Sequence, residues 1–255
     1  MGKTRVDFPL RDYYSEIYGT YDRVNRIFTF GRDAHWRTVA ALACLEAAPS
    51  SILDVCTGTG DFAFELARIA GKGVRLTGYD FSSEMLMEAS RKQNQFSGKE
   101  DLVPVEFVQG DVAAMPFRDE QFDAIGITFG IRNLVYQNSA GEKHLSELRR
   151  VLRRGGQLVI LESSRPSNAI WRFINSIYLR AILPYLGGMI SGNLSAYRYL
   201  AESSRNYYSI REMSDILDRA GFRVKRSRPL FLGSVMLVVA ERNGEDKAGR
   251  DRNEK

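Results

Sequence analysis

The stretch SILDVCTGTGD, residues 51–61, decides the fold of this chain. Three aliphatic residues at its start favour a buried strand, and Gly58 and Gly60 allow a tight turn in which the backbone can approach a ligand closely. Apolar side chains then recur at helical spacing from Phe62 onwards. The stretch therefore predicts a strand, a glycine-bearing turn and a helix, an arrangement that binds nucleotide-like ligands in doubly wound folds.

The residues after the turn narrow the choice of ligand. A P-loop would place Lys and then Ser or Thr after the second glycine, but this chain has Asp61, whose carboxylate would repel a pyrophosphate. The dinucleotide pattern is not completed by a third glycine, because Asp61, Phe62 and Ala63 follow. About twenty residues on, a second predicted strand ends in Asp80, a position from which an acid bonds a ribose diol. A ribose-bearing cation without phosphate, such as S-adenosylmethionine, suits this pattern. The alternative is an ordinary loop with Asp61 in the first helical turn, stabilised by the helix dipole.

Composition places the chain among ordinary globular proteins. Its 255 residues can hold one large α/β domain, and 36 basic against 31 acidic residues give a mild positive excess. That excess is compatible with an anionic membrane surface or nucleic acid and indicates neither. Cys44 and Cys56 indicate a reducing compartment, and no Cys and His cluster has metal-ligand spacing. No signal peptide is visible, and the longest uncharged run, 181–197, is too interrupted by Pro and Gly to span a membrane.

Strand and helix patterns alternate through most of the chain, which predicts a parallel, doubly wound sheet. The last two strands are joined by a short connection around Gly233, so we expect them to be antiparallel neighbours. Basic residues in 222–228 are typical of a protected edge strand, which we favour over a nucleic-acid patch. The predicted helices are 61–70, 83–94, 140–152 and 210–220, and the predicted strands after the first are 74–80, 105–109, 122–128, 157–162, 222–228 and 234–241.

Three regions lie outside this alternation and flank or interrupt a domain over 51–241. Residues 1–50 have helical patterns and are expected to form a cap over the substrate. Residues 164–208 are a predicted helical insertion, whose apolar stripe between Ile170 and Ile182 is either a lid over an apolar substrate or extra core; the lid is favoured. Residues 242–255 carry mixed charges, which predicts a disordered tail.

Residues with chemical potential gather at the predicted carboxyl ends of the strands, where such sheets bind ligands. Asp111 follows the third strand and is placed either to reach an adenine amino group or to cap the following turn. His144 is expected on the exposed face of its helix, opposite Leu145 and Leu148. His35 is then the histidine available as a base. The strand-end residues are 57–61, Asp80, Asp111, 128–133 and Glu162.

Seven motifs stand out along the chain: YDRVNRIFTFG, ILDVCTGTGD, GYDFSSEML, GDVAAMPFRDEQFD, TFGIRNL, RVLRRGGQLVILE and GNLSAYRYLAES. Together they resemble those of the ubiquinone and menaquinone C-methyltransferases, a branch of the class I S-adenosylmethionine-dependent methyltransferases. The similarity runs from about Tyr21 to Glu241, and the glycine turn and Asp80 are its less specific parts.

This resemblance implies a Rossmann-like class I methyltransferase fold, with a mostly parallel seven-stranded sheet, helices on both faces and an antiparallel last strand. It implies S-adenosylmethionine as cofactor and a prenylated quinol as substrate, with demethylmenaquinol the first choice. The sequence does not select between naphthoquinol and benzoquinol rings. The resemblance further implies a cytoplasmic protein with peripheral membrane contact, which forms a homodimer.

The family reaction moves a methyl group from the sulfonium to a ring carbon, which is nucleophilic only when a neighbouring hydroxyl ionises. Arg132 and Asn133 are the expected catalytic residues. A guanidinium is a poor base at neutral pH, so Arg132 is expected to stabilise the phenolate or to orient a water that takes the proton. The expected cofactor contacts are Asp54, Thr57, Gly58, Thr59, Gly60, Asp80, Phe81, Asp111, Val112 and Thr128, the last where the family usually has serine. The expected substrate contacts are Tyr21, Asp22, Asn25, Tyr197, Arg198 and Tyr199.

Two other classes of protein fit part of this pattern. A nucleic-acid methyltransferase would use the same cofactor turn, but the chain lacks the Asn/Asp-Pro-Pro-Tyr-like motif of amino-group methylation and a clustered basic face with interleaved aromatic residues. A non-catalytic cofactor-binding partner in quinone synthesis would keep Asp80 and lose methyl transfer. Co-purified nucleic acid would reveal the first class, and lack of cofactor turnover the second.

Overall fold

The computed structural model describes residues 22–96 and 102–244, without the side chains of Ala196 and Tyr199. Seven strands form one sheet in the order β3-β2-β1-β4-β5-β7-β6. The strands are β1 Ser51–Val55, β2 Arg75–Asp80, β3 Val105–Gln109, β4 Phe122–Thr128, β5 Leu152–Ser163, β6 Phe222–Leu230 and β7 Val235–Arg242. Residues 22–28 are helical and are called α1. The later helices are α2 Arg32–Leu45, α3 Asp61–Ile69, α4 Ser83–Phe96, α5 Ile131–Val135, α6 Gly141–Val151, α7 Ala169–Ile177, α8 Leu183–Ser191, α9 Leu194–Asn206 and α10 Ile210–Arg219.

The pairing of the strands confirms the predicted sheet. β1 to β5 are parallel, whereas β7 is antiparallel to both β5 and β6. The strand order reverses between β1 and β4, so the loops after these two strands diverge and leave a crevice at their carboxyl ends. This switch point is where a doubly wound sheet binds its ligand.

Helices cover both faces of the sheet. One buried cluster joins α2 and α3 to the sheet, and a second joins α6 and α10 to the opposite face. The structure therefore packs α2, which is part of the predicted substrate cap over 1–50, on the sheet; residues 1–21 of that predicted cap lie outside the described residues. The reason for this packing is the buried face of small residues on α2, Ala40, Ala41 and Cys44, which packs closely on the strands.

The basic edge strand is confirmed, because β6 is the last strand of the sheet. Its cations are engaged in ion pairs: Arg223 and Lys225 both approach Glu241, at 3.2 and 3.1 Å, and Arg226 pairs with Glu46. Such pairs protect an edge from further strand pairing. The predicted tail starts at 242, and its residues 245–255 lie outside the described residues.

The insertion over 164–208 is helical, as predicted, but its apolar stripe is not extra core. α7, a π-helical segment Tyr178–Ile182 and α8 follow one another, and Ile170, Phe173 and Met189 are exposed. The run Ala169–Ser191 is long and apolar enough by length and composition to cross a membrane, and 17% of its apolar 18-residue window is buried. Pro184 was expected to interrupt such a run, but it lies in the first turn of α8, where proline does not break a helix.

Candidate active site

A cavity of about 780 Å³ opens at the carboxyl ends of β1 to β4. Eight of the ten predicted cofactor contacts line it: Thr57, Gly58, Thr59, Asp80, Phe81, Asp111, Val112 and Thr128. Asp54 and Gly60 are not among the lining residues. Residues from four different strand ends thus meet in one place, as the topology requires.

Asp80 is held rigidly beside the glycine turn. Its carboxylate accepts hydrogen bonds from the backbone N–H groups of Gly58 and Ser82, both at 2.9 Å. Burial raises the pKa of Asp80, against the lowering effect of these backbone donors. The side chain is 6% exposed and still lines the cavity, so a preoriented acceptor faces any ligand at the end of β2.

Asp54 was predicted to contact the cofactor, but it lies beneath the glycine turn and does not line the cavity. Its Oδ2 accepts a hydrogen bond from Thr57 Oγ1 at 2.6 Å, which ties the strand end to the turn. Complete burial raises the pKa of Asp54 to about 7. Asp54 is 2% exposed and does not line the cavity. It therefore stabilises the turn from within the protein and does not contact a ligand directly.

The turns after β1 and β4 pack tightly against each other. Cys56 and Phe129 both have left-handed backbone conformations, with φ of 58° and 56°. A Cβ atom added at Gly130 would lie 2.4 Å from Cys56 Cβ, so this glycine is required for the close approach. Strained backbone at the crevice is typical of sites that hold ligands in fixed geometry.

α1 contributes one acidic side chain, that of Asp22, to the wall of the cavity. Asp22 Oδ1 accepts a hydrogen bond from Thr59 Oγ1 at 2.7 Å, and its Oδ2 lies 2.5 Å from Lys92 Nζ. The same ammonium group lies 2.8 Å from Asp61 Oδ1. Asp22 therefore lines the cavity, while its predicted contact with the substrate stays a prediction, and Lys92 joins α1, α3 and α4.

Arg37 was not expected from the sequence and lines the cavity, as do Asp61 and Phe129. Its guanidinium bonds Asp33 Oδ2 at 2.5 Å and lies 5.6 Å from the centroid of the Phe129 ring. Among the described residues that line the cavity, Arg37 is the one Lys or Arg. The segment FGRDAHW, residues 30–36, directly precedes Arg37 and was the available signal.

Arg132 lies behind the cavity wall. Its side chain is 4% exposed, donates to Ser163 Oγ at 3.1 Å and to Ser204, and lies 3.8 Å from Glu162 Oε1. The backbone N–H of Arg132 also donates to Glu162. The neighbouring Asn133 does line the cavity. Of the two expected catalytic residues, Asn133 lines the cavity and Arg132 does not, and their catalytic roles stay predictions.

The two histidines exchange the places expected of them. His35 is exposed, whereas His144 is 6% exposed and lines the cavity. The expectation that His144 lies opposite Leu148 was wrong, because residues four apart share a helix face. Its Nδ1 lies 2.8 Å from the carbonyl oxygen of Leu134, and its Nε2 lies 3.8 Å from Asp111 Oδ1.

Among the remaining predicted substrate contacts, those that the structure describes do not line the cavity. Tyr197 is fully buried and packs with Val24 of α1, Arg198 is exposed, and Asn25 is not among the lining residues. Tyr21 and the side chain of Tyr199 lie outside the described residues. The roles of these residues in substrate binding stay predictions.

The lining fits S-adenosylmethionine better than a phosphate-bearing cofactor. Asp22, Asp61, Asp80 and Asp111 line the cavity, and such an acidic surface attracts sulfonium and ammonium groups and repels phosphate. Arg37 supplies a cation for a carboxylate. In the described part of the chain, no group of His, Cys, Asp and Glu side chains could hold a metal ion.

Comparisons with known proteins agree with this fit. Residues 3–240 match the model of the ubiE/COQ5 methyltransferase family. A demethylmenaquinone methyltransferase of Thermus thermophilus is 42% identical over 90% of this chain and 99% of its own length. One from Thermotoga maritima is 38% identical over 89% and 93%. Among solved structures, a SAM-dependent methyltransferase and possible histamine N-methyltransferase from Thermotoga maritima has a TM-score of 0.63, with 18% identity, over 92% of this chain and 100% of its own. The chain therefore belongs to the ubiE/COQ5 methyltransferase family and is an S-adenosylmethionine-dependent methyltransferase.

Proposed function

We propose that this enzyme methylates a ring carbon of a prenylated quinol, and that its substrate is demethylmenaquinol. The observation that carries this proposal is the similarity, over nine-tenths of the chain, to relatives named demethylmenaquinone methyltransferases. The acidic strand-end cavity supports it, because it fits the cofactor of such a reaction. The prenylated quinol and its ring type are inferred from those names.

The order of the strands supports one orientation of the cofactor. Asp111, Asp80 and the glycine turn follow β3, β2 and β1, which are neighbours in that sequence. In our proposal, Asp111 receives the adenine amino group, Asp80 the ribose hydroxyls, and Arg37 the methionine carboxylate. The reacting end then lies where β1 and β4 diverge, beside Thr128 and Asn133.

The residues at this end would prepare the quinol for reaction. When bound, the cofactor supplies an electrophilic methyl group. The quinol hydroxyl would give its proton to water. The ortho carbon would then bond the methyl group as the bond between that methyl and the sulfonium sulfur breaks, and S-adenosylhomocysteine would leave. Loss of the hydrogen of that carbon as a proton, and return of one proton to the ring oxygen, would restore the aromatic quinol, with one proton released overall. Asn133 would orient the hydroxyl by hydrogen bonding. Arg132 would act as a positioning residue, because its backbone and side chain fix the start of α5 on Glu162.

The first experiment incubates the purified enzyme with methyl-labelled S-adenosylmethionine and reduced demethylmenaquinol and benzoquinol analogues, with and without prenyl tails. We expect the label on a ring carbon beside a hydroxyl of the naphthoquinol, located by mass spectrometry. Transfer to benzoquinols alone would correct the ring type. Tight cofactor binding without transfer to any quinol would overturn the proposed function and leave the methyltransferase family intact.

The cofactor assignment has its own test. We expect Asp80→Ala to weaken binding of S-adenosylhomocysteine by about 10- to 100-fold, because it removes a buried acceptor for the ribose. Asp119→Ala is the matched control, since this carboxyl group is 76% exposed and pairs with Arg150 away from the cavity. Calorimetric titration measures both, and equal affinities for the two variants would contradict the assignment.

We also propose that this cytoplasmic enzyme meets its substrate at a membrane surface through its insertion. α7, the π-helical segment and α8 together expose Ile170, Ile174, Ile177 and Met189 at helical spacing. A run of 23 residues spans about 34 Å and has length enough to cross a bilayer. Leu183 and Gly187 on its other side are buried in the protein, so the run would lie in the interface plane.

The charges of this region favour an anionic lipid surface over a second copy of the chain. Between Glu162 and Glu202 the sequence contains four arginines, Arg165, Arg172, Arg180 and Arg198, and no acidic residue. Arginines beside an exposed apolar stripe bind anionic headgroups. A symmetric dimer through the same face would bring like charges together.

Flotation with phosphatidylcholine vesicles, with and without phosphatidylglycerol, tests this surface. We expect binding to the anionic vesicles, and its loss in the double variant Ile174→Asp with Ile177→Asp. Leu42→Asp with Met87→Asp is the control, because these exposed apolar residues lie elsewhere. The insertion variant should also lose long-tailed quinols more than short-tailed ones. Unchanged flotation together with conversion of a dimer to a monomer, seen by sedimentation, would assign the stripe to a homodimer instead.

A further inference from the structure

His144 and Asp111 form a pair of facing groups at the β3 end of the cavity. His144 comes from the first turns of α6, and Asp111 follows β3 and accepts a hydrogen bond from Ala113 N at 2.8 Å. Both line the cavity, and the gap between His144 Nε2 and Asp111 Oδ1 is 3.8 Å. That separation is too long for a direct hydrogen bond.

The chemistry of the contact at Leu134 determines the tautomer of a neutral His144. The carbonyl oxygen of Leu134 can only accept, so His144 Nδ1, at 2.8 Å, must carry the hydrogen. In the neutral ring Nε2 is then an acceptor. Two acceptors therefore face one part of the cavity, and a donor between them would satisfy both.

We infer that His144 and Asp111 together recognise the exocyclic amino group of the adenine. An amino nitrogen placed between two acceptors 3.8 Å apart can lie within hydrogen-bond distance of each, and it has one hydrogen for each. Asp111 alone would leave the second hydrogen of the amino group without an acceptor. His144 is thus a binding residue that selects a 6-amino purine over a 6-oxo purine.

Loop packing explains why the imidazole is held in this place. Asn138 bridges the connection between α5 and α6, donating to Asn133 O at 2.9 Å and accepting from Ala140 N at 3.0 Å. The Nδ1 bond to Leu134 then anchors the ring to the same connection. His144 lies at the β3 end of the cavity, where we propose that the adenine binds. This inference therefore does not rest on the identity of the quinol.

The test compares binding of S-adenosylhomocysteine with that of S-inosylhomocysteine, which carries a 6-oxo group, by calorimetric titration. We expect the unaltered enzyme to prefer the adenosyl ligand by more than about 100-fold. His144→Ala should weaken adenosyl binding by about 10-fold and inosyl binding much less, so the preference falls. His144→Gln, which keeps an acceptor, should recover part of it. His35→Ala is the control at the exposed histidine.

The ratio of the two affinities separates recognition from folding. A purely structural role for His144 would weaken both ligands equally in His144→Ala, and this result would overturn the inference. An unchanged ratio in both His144 variants would overturn it as well. If the unaltered enzyme prefers the adenosyl ligand but methylates no quinol, that result would overturn the proposed function and not the role of His144.

Discussion

The sheet and the helical insertion contain the same kind of aliphatic residue in opposite surroundings. Ile125 and Ile127 in β4 are fully buried, whereas Ile170 and Ile174 in α7 are 74% and 48% exposed. The strands end in groups fixed by hydrogen bonds, such as Asp80, while the insertion exposes side chains with no polar function. The difference separates apolar surface that stabilises the rigid strand-end site from apolar surface that, in our proposal, contacts a membrane.

The most direct test of this contrast compares one isoleucine from each region. We expect Ile127→Ala to lower the free energy of unfolding by about 2–5 kcal/mol, because it leaves a cavity in the core. Ile174→Ala should change it by less than about 0.5 kcal/mol. Urea unfolding followed by circular dichroism measures both. Similar losses for the two variants would mean that the stripe is buried in solution.

Gly130 tests how tightly the strand-end site is packed. We expect Gly130→Ala to cost about 1–3 kcal/mol of unfolding free energy, because the new Cβ would overlap Cys56. Cys56→Gly should recover more than half of that loss in the double variant, since it removes the contact and relaxes a left-handed residue. Gly71→Ala is the control at a position with open space. Strictly additive effects of the two changes would contradict the proposed contact.

Asp54, buried at the strand-end site, should make the free energy of unfolding depend on pH, which an exposed carboxyl group should not. The folded pKa of Asp54, about 7, lies above the ordinary value of 3.8, so the folded state binds more protons between these values. The free energy of unfolding should therefore fall as pH rises from 4 to 7, by up to about 1.4 kcal/mol per pH unit from this group, and level off above. Asp54→Asn should remove this slope, whereas Asp119→Asn on an exposed carboxyl group should keep it. Equal slopes for the enzyme and Asp54→Asn, measured by urea unfolding across this range, would count against it.

Lys92 should give the smallest effect, because its ion pairs are partly exposed. We expect Lys92→Met to lower the free energy of unfolding by about 0.5–1 kcal/mol and to reduce its salt dependence, since the ammonium group neutralises Asp22 and Asp61. Arg91→Met on the adjacent exposed pair with Glu88 is the control. Urea unfolding at low and high salt measures both variants. A larger loss for Arg91→Met would contradict the joining role of Lys92.

The sheet could be predicted from the sequence because its signals are local. Strands bounded by glycine turns, such as the one before Gly58, and helices with a clear apolar face, such as α10, ended within a few residues of their predicted limits. The crevice residues Asp80 and Asp111 followed from their places at strand ends. The positions of these residues depend on the topology of the sheet, which the alternation of strands and helices predicts.

Side-chain direction was the part that the sequence did not reveal. Arg132 and Asn133 are neighbours, yet one packs on Glu162 and the other lines the cavity. His144 could have been placed correctly from its spacing to Leu148 and Val151. The exposure of the Ile170 stripe had no such signal, because an apolar helix face looks the same in sequence whether protein or lipid covers it.

α1 touches both regions of the molecule. Asp22 at its start accepts a hydrogen bond from Thr59 in the glycine turn, and the carbonyl oxygen of Phe28 at its end accepts one from Tyr178 of the insertion, at 2.9 Å. A ligand that displaces Thr59 from Asp22 would therefore act on the element that supports the insertion. Thermodynamic linkage makes such an effect reciprocal: whatever factor the cofactor applies to membrane affinity, the membrane applies to cofactor affinity.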